Sequence, residues 1–364
     1  MSVAVGRVTL NHPVALAPMA GMTDTAFRRL VKRKGGCGLV VTEMVSSEGL
    51  VRGIDRTLEY AEYTEEERPI SIQIFGGDPK VMAEAAQIVE GMGADIVDIN
   101  MGCPVQKIAK HNAGCSLMRE PQHAASVIRE MARAVRIPVT VKMRAGWNER
   151  EINAPLLARM AEDAGAAALA VHGRTAAQSY TGQSDWSLIA QVARQVSIPV
   201  FGSGDCTEPA QIASRIRESG VAGVLVGRGA LRNPWIFFQA AEMLSRGQVV
   251  EVTLEEKGRF LLDYIELLVR ERVTEDAGFR HVAPGMDEIV APAPARGRAR
   301  WVINKVRALA AWYTKGLEGG SDLRVAINSS ESLDQLRELI SDFFITGSCD
   351  FVERHNLTAG VIGH

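Results

Sequence analysis

From Pro13 to about Leu231, short runs of β-branched and other apolar residues alternate with longer stretches whose apolar positions recur at helical spacing. Such alternation marks repeated strand-helix units around a parallel sheet. It predicts eight strands, at 13–17, 38–42, 69–74, 95–99, 138–142, 167–172, 199–203 and 222–227. Eight parallel strands in about 220 residues is the ordinary size of a (β/α)8 TIM barrel. A doubly wound open sheet is the competing α/β arrangement, but no Gly-x-Gly-x-x-Gly follows the first strand. Beyond the barrel, 235–273 and 299–345 read as helices, the second block with apolar residues at helical spacing. Between them, about 276–298 holds Pro284, Pro292, Pro294 and several Gly and Ala residues, which predicts a mobile loop. The chain divides into a barrel at 1–240, an all-helical domain at 241–346 and a loosely ordered tail at 347–364.

Composition narrows the class without naming a function. Of 364 residues, 46% are hydrophobic and 23% charged, an ordinary globular balance with material for a sizeable core. No apolar run is long enough to span a bilayer and no secretion signal opens the chain, so a cytoplasmic protein without a membrane partner is expected. The five cysteines (Cys37, Cys103, Cys115, Cys206 and Cys349) are widely spaced with no Cys-x-x-Cys pair, which fits a reducing compartment and predicts no metal. With 41 basic and 43 acidic residues, total charge says nothing about nucleic acid.

Barrel chemistry sits in the loops after the strand C-terminal ends, so unusual polar residues should gather there. They do: Met19 to Gly21, Glu43, Gln73, Asn100 with Cys103, Lys142 with Arg144, His172 with Arg174, Ser203 to Asp205, and Gly227 to Gly229. Val226-Gly227-Arg228-Gly229-Ala230 ends the last strand and Gly202-Ser203-Gly204-Asp205 the one before it. One such loop is as well explained by a tight turn, but two adjacent ones after strands seven and eight point to a phosphate site. Lys142, His172 and Gln73 suggest what carries the phosphate: a lysine stabilises a reduced flavin ring and an amide pairs with its pyrimidine edge. Flavin mononucleotide fits the set. A Schiff-base lysine and a merely ion-paired lysine remain open on spacing alone. Cys103, in a turn held by Gly102 and Pro104, projects a thiol into the mouth. With an ordinary pKa of about 8.5, a thiol can deliver the proton that reduction of an activated C=C bond requires. Cys37, Cys206 and Cys349 read as buried hydrophobes, and Cys115 stays open.

Ala17-Pro18-Met19-Ala20-Gly21-Met22-Thr23-Asp24, Glu43-Met44, Gln73-Ile74-Phe75-Gly76, Asp98-Ile99-Asn100-Met101-Gly102-Cys103-Pro104, Lys142-Met143-Arg144 and Val171-His172-Gly173-Arg174-Thr175 resemble, in the same order, the motif series of the tRNA-dihydrouridine synthases. The resemblance runs from about 13 to 240, and Ala311-Trp312-Tyr313-Thr314-Lys315-Gly316-Leu317 is similar to the RNA-binding domain of the bacterial DusB branch. It implies FMN reduced by NADPH, with hydride transfer to uracil C6 and protonation at C5. Pro18, Met19 and Ala20 would line the flavin, Gln73, Lys142 and His172 contact its ring, and Ser203, Gly204, Asp205, Gly227 and Arg228 surround its phosphate tail. Cys103 is then the proton donor, with Asn100, Arg144 and Arg174 on the substrate side, and a monomer acting on tRNA, or on ribosomal RNA, is expected. Four features depart from the pattern: Ser203 where relatives have Asn, Cys115 where they have Ser or Ala, the Pro-rich segment near 282 to 298, which looks like an insertion, and Ala310 or Ala311 where a basic residue or His often precedes Trp-Tyr.

The charge distribution adds an RNA candidate. Between 296 and 315 lie Arg296, Arg298, Arg300, Lys305, Arg307 and Lys315 with no acidic residue, interleaved with Trp301, Trp312 and Tyr313. Such a strip can neutralise phosphates, with Arg298, Arg300 and Lys305 as leading contacts. By composition it is equally a solvated face over packed aromatics, and the resemblance is what favours RNA. A small-molecule flavin reductase of the dihydroorotate or enoate type would not need that strip. An RNA-binding factor without turnover would not need Cys103, Lys142 and His172 together.

Overall fold

The computed structural model describes residues 1–105, 108, 112–270, 281–282 and 296–346. Most of the loop expected at 276–298, and all of the tail from 347, lie outside them. Among the described residues, eight parallel strands close a barrel: β1 Val14–Leu16, β2 Leu39–Val41, β3 Ile70–Phe75, β4 Ile96–Met101, β5 Val139–Arg144, β6 Ala168–His172, β7 Val200–Ser203 and β8 Gly223–Val226. Each pairs with the next, and β8 returns to β1 through Val224 opposite Val14. The TIM barrel read from the sequence is therefore present, every strand within two residues of its expected ends.

Strand parity sorts the side chains. Outward positions such as Leu16, Val40, Ile72, Val97, Val141 and Val224 join the large core beneath the surrounding helices. Inward positions at the strand starts, including Leu39, Ile96, Ala168 and Phe201, form a second apolar cluster inside the barrel. A feature not anticipated closes that end: an antiparallel hairpin of Val3–Val5 and Val8–Leu10, turning at Gly6 with φ of 54°, adds Val3, Val5 and Leu10 to the interior cluster. The floor is apolar and sealed, so polar inward residues concentrate toward the opposite, C-terminal mouth.

The crossover helices carry their own start signals. Asp24 caps α1 (Thr25–Lys34) by accepting from Phe27 N, and Asp78 caps α2 (Pro79–Gly91), which opens on proline. Helices α3 (Pro121–Ala134), α4 (Ala154–Asp163), α5 (Trp186–Gln195) and α6 (Pro209–Ser219) continue the wall. Helix α7 (Ile236–Arg246) lies against α6 and completes it. The C-terminal bundle follows as α8 (Leu254–Arg270), α9 (Arg296–Tyr313), α10 (Gly320–Ser329) and α11 (Leu333–Ser341).

Bundle and barrel share one core. Phe260 of α8 is fully buried between Phe27 of α1, Trp235 and Tyr313 of α9, at ring separations of 6.0, 5.4 and 5.7 Å. The Tyr313 hydroxyl donates to the Lys257 carbonyl at 3.0 Å, so the polar end of this buried ring is satisfied. This packing fixes the bundle beside the first barrel loop.

Candidate active site

The inward faces of β3, β4 and β5 bring a connected set of polar side chains to the mouth. Register places Asp98 opposite both Gln73 and Thr140, and Asn100 opposite Lys142. Thr140 Oγ1 donates to Asp98 Oδ1 at 2.5 Å, and Gln73 Nε2 donates to Asp98 Oδ2 at 2.6 Å. Asn100 Nδ2 donates to Gln73 Oε1 at 2.7 Å, while Asn100 Oδ1 accepts from the backbone N–H groups of Gly102 and Cys103 at 3.1 and 2.9 Å. From the other side, Cys115 N donates to the Cys103 carbonyl. Gly114, at φ of 61°, runs so close that a Cβ there would stand 2.8 Å from the same oxygen. The Cys103 turn is thus held on two sides, with its side chain half-buried at the mouth. Cys115 itself is buried and its thiol is pushed up to about 12 by that burial, which makes it an inert packing residue.

Next to this turn is an accumulation of positive charge. A Cβ built on Gly102 would be 3.9 Å from Lys142 Nζ, and among the described residues no carboxylate forms an ion pair with that ammonium. Burial, then the neighbouring Arg144, lowers the Lys142 pKa to about 8, against the pull of Asp98. Burial, reinforced by Lys142, Arg144, Arg174 and Arg228, holds the His172 ring far below its usual range, so it is neutral at physiological pH. The two buried arginines shape the loop after β6: Arg144 donates to the carbonyls of Gly102, Thr175 and Ser179, and Arg174 to those of Thr181 and Gly182. Tyr180, 60% exposed, has its ring 5.9 Å from the Arg144 guanidinium and 4.9 Å from that of Arg228.

Loops from both ends of the chain complete the rim. Met19 approaches Gly227, where a Cβ would be 3.5 Å from Met19 Sδ, while Pro18 borders the barrel interior and Ala20 is exposed at the loop tip. Gly204 has φ of 116° and Asp205 φ of 54°, and a Cβ at Gly204 would collide with Ser184 and approach the His172 ring to 2.9 Å. Glycine is required there. At Gly227 a Cβ would make only ordinary contacts, with Met19 Sδ at 3.5 Å and Ala17 Cβ at 3.8 Å. Ser203 Oγ donates to the Leu225 carbonyl and so ties β7 to β8. Asp205 would be pushed up by burial, but Arg174 at 2.8 Å, the Ser184 N–H and Arg228 at 3.8 Å keep it below the usual carboxylate range.

The family model described as Dihydrouridine synthase (Dus) matches residues 15–344, from β1 into the last turn of the bundle. The chain belongs to the dihydrouridine synthase family. It is 37% identical to tRNA-dihydrouridine synthase B of Xanthomonas axonopodis pv. citri over 93% of this chain and 95% of that protein. Tyr180 and the cationic mouth thus sit within a stretch the family model spans, as does the bundle. With tRNA-dihydrouridine synthase B of Pseudomonas aeruginosa the identity is 36% over 99% of this chain and 98% of the relative. A probable tRNA-dihydrouridine synthase of Rhodobacter capsulatus is 47% identical over 67% of this chain and 75% of its own length. The solved structure of TcOYE with pHBA is 14% identical at a TM-score of 0.49, covering 70% of this chain and 94% of that one, which adds nothing to what strand pairing shows.

In this member of the dihydrouridine synthase family the basic strip of α9 is split by its own helix. Arg298 donates to the Leu268 carbonyl at the end of α8 and lies 4.3 Å from the Trp301 ring. Arg307 donates to the carbonyls of Ile327 and Ser330 at the end of α10. Lys305 turns inward to Asp24, Glu43 and the Gly21 carbonyl, and Tyr313 is core. Arg300 is exposed, with Trp301 beside it at 37% exposure. Sequence reasoning missed Asp98 and Tyr180. Asp98 had a signal, since Asp98-Ile99-Asn100 alternates polar and apolar in a strand that should be buried on both faces. Tyr180 had none, lying in a loop eight residues past the end of β6.

Proposed function

We propose that this chain reduces the C5–C6 double bond of uridines in tRNA to 5,6-dihydrouridine in the cytoplasm, with FMN at the barrel mouth, NADPH as reductant and Cys103 as proton donor. Family membership supports the reaction, and the names of the relatives support tRNA as substrate. The observation that carries the site assignment is the half-buried Cys103 turn held beside the buried Lys142 ammonium.

The donor set fits a flavin phosphate. Lys142, Arg144, Arg174 and Arg228 face Asp98 and Asp205, an excess of cations that calls for an anion. Pro18, Met19 and Ala20 would line the ring through the first loop, with Gln73, Lys142 and neutral His172 along its polar edge. Ser203, Gly204, Asp205, Gly227 and Arg228 would hold the tail. Bound there, FMN would supply to uracil C6 the hydride it takes from NADPH. Lys142 holds positive charge where negative charge develops, and Cys103 delivers a proton to C5. Asn100, Arg144 and Arg174 border the space where a uracil must sit after leaving its stack. The barrel at 1–240 would carry the chemistry and the helical part at 241–346 the RNA contact, led by Arg300 and Trp301, with Arg298 contributing charge at the edge.

The test is spectroscopic. Purified protein should show flavin bands that bleach with NADPH under anaerobic conditions and return with unmodified tRNA. Cys103→Ala should keep the flavin and lose roughly a hundredfold or more in dihydrouridine formation. Unchanged turnover would remove Cys103 from the acid role, and a flavin indifferent to tRNA would turn the substrate assignment toward another RNA or a small molecule.

A further inference from the structure

We propose that Asp98 is a positioning residue for the Cys103 thiol, acting through an oriented chain of side-chain amides that runs from its carboxylate through Gln73 and Asn100 to the cysteine turn. The proposal rests on the reading of Cys103 as proton donor.

The argument is one of donors and acceptors. A carboxyl oxygen without a proton only accepts, a backbone N–H only donates, and each primary amide has one accepting and one donating end. Burial raises the Asp98 pKa, against Gln73, Thr140 and Lys142, and with a proton on Oδ1 toward Thr140 or without one, Oδ2 accepts from Gln73 Nε2. Gln73 must then turn Oε1 toward Asn100, and Asn100 must answer with Nδ2. Its Oδ1 is left facing the turn, where the N–H groups of Gly102 and Cys103 require an acceptor. The chain is pinned by a pure acceptor at one end and pure donors at the other. Reversing Gln73 would set like against like at two contacts, and reversing Asn100 at three.

Burial makes this orientation costly to lose. Gln73 is 1% exposed, Asp98 6% and Asn100 7%, which leaves little access for water to repair a reversed amide. Packing gives no reason for a carboxyl here, because Ile96, Ala168 and Phe201 fill the same barrel interior with apolar groups, and attraction to the buried Lys142 does not account for its contact with Gln73. An anchored amide chain does give one: it fixes the backbone of a turn whose thiol has to meet one carbon of a substrate.

Amide hydrogen exchange at Gly102 and Cys103 in the full-length, FMN-loaded protein tests this, comparing wild type with Asp98→Leu, Gln73→Leu and the double variant. Either single substitution should speed exchange at these two amides by roughly tenfold. The double should be no faster than the singles, because one broken link already disables the chain. In turnover, kcat for Asp98→Leu should fall roughly tenfold while KM for tRNA stays within about twofold. Wild-type exchange in the single variants, or effects that multiply in the double, would overturn the proposal. Where Asp98→Leu fails to fold, Gln73→Leu carries the same test, since it leaves the carboxylate in place. Cys103→Ala judges the proton-donor reading separately: full turnover there defeats that reading, while the exchange rates still decide the amide chain.

Discussion

Lys305, on a helix of the C-terminal bundle, places its ammonium 3.0 Å from Asp24 Oδ2 at the barrel mouth and 3.8 Å from Glu43 Oε1. Glu43 Oε2 in turn accepts from Gly21 N at 2.5 Å, Lys305 donates to the Gly21 carbonyl, and the Tyr264 hydroxyl of α8 donates to Asp24. The first barrel loop, with Pro18, Met19 and Ala20, is therefore clamped from above by the bundle. A strip residue expected to meet phosphate instead serves as countercharge to two carboxylates.

Replacing this lysine separates the two roles. Burial raises the Glu43 pKa, while Lys305, the Gly21 N–H and Arg28 oppose it and Asp24 adds to it, so Lys305→Met should raise it further. The variant should lose about 2 kcal/mol at pH 7.5 and release flavin more readily. A carboxyl with a raised folded-state pKa takes up its proton first in the folded protein, so the deficit should shrink as pH falls toward 5. Thermal melts across this range and FMN titrations check it. A variant with normal flavin affinity whose tRNA binding loses about one step of salt dependence would instead restore Lys305 to the phosphate contacts.

Lys142 predicts the opposite sign. Its pKa is near 8 in the folded protein against about 10.4 in an unfolded chain. Between these values the unfolded chain binds a proton that the folded chain does not, so stability falls as pH drops from about 10 to about 8 and levels off below. At neutral pH the buried ammonium costs on the order of 3 kcal/mol in flavin-free protein. Lys142→Met should therefore stabilise flavin-free protein in urea unfolding, by an amount that narrows as pH rises from 7 to 10, while abolishing tight flavin binding. A pH-independent difference would show that the ammonium is solvated.

The barrel was legible because parity and periodicity act along the chain: all eight strands and the polar residues at their ends follow from local pattern. That Cys103 and Lys142 meet at the mouth was legible too, since strand ends converge there by construction. What the sequence hid depends on partners distant in the chain. Nothing near Lys305 shows that Asp24 will stand beside it, and nothing near Arg298 or Arg307 shows that helix-end carbonyls will take their charge. A run of basic residues is legible as charge, but its direction is set by packing. The hairpin at Val3–Leu10 escaped for a related reason, since three-residue strands give too few alternations to count.

The shared core carries the last prediction. Phe260 belongs to the bundle by sequence, yet its ring contacts Phe27 on the first barrel helix and Trp235 at the barrel's end as closely as Tyr313 of its own bundle. Removing that ring leaves a cavity on both sides of the boundary at once. Phe260→Ala should cost about 3 to 5 kcal/mol. Because barrel and bundle lean on the same side chain, calorimetry should show one transition in the wild type and one, about 10 °C lower, in the variant. Two transitions of which only one moves would mean that the bundle folds on its own and that the clamp on the first loop forms only after the barrel is complete.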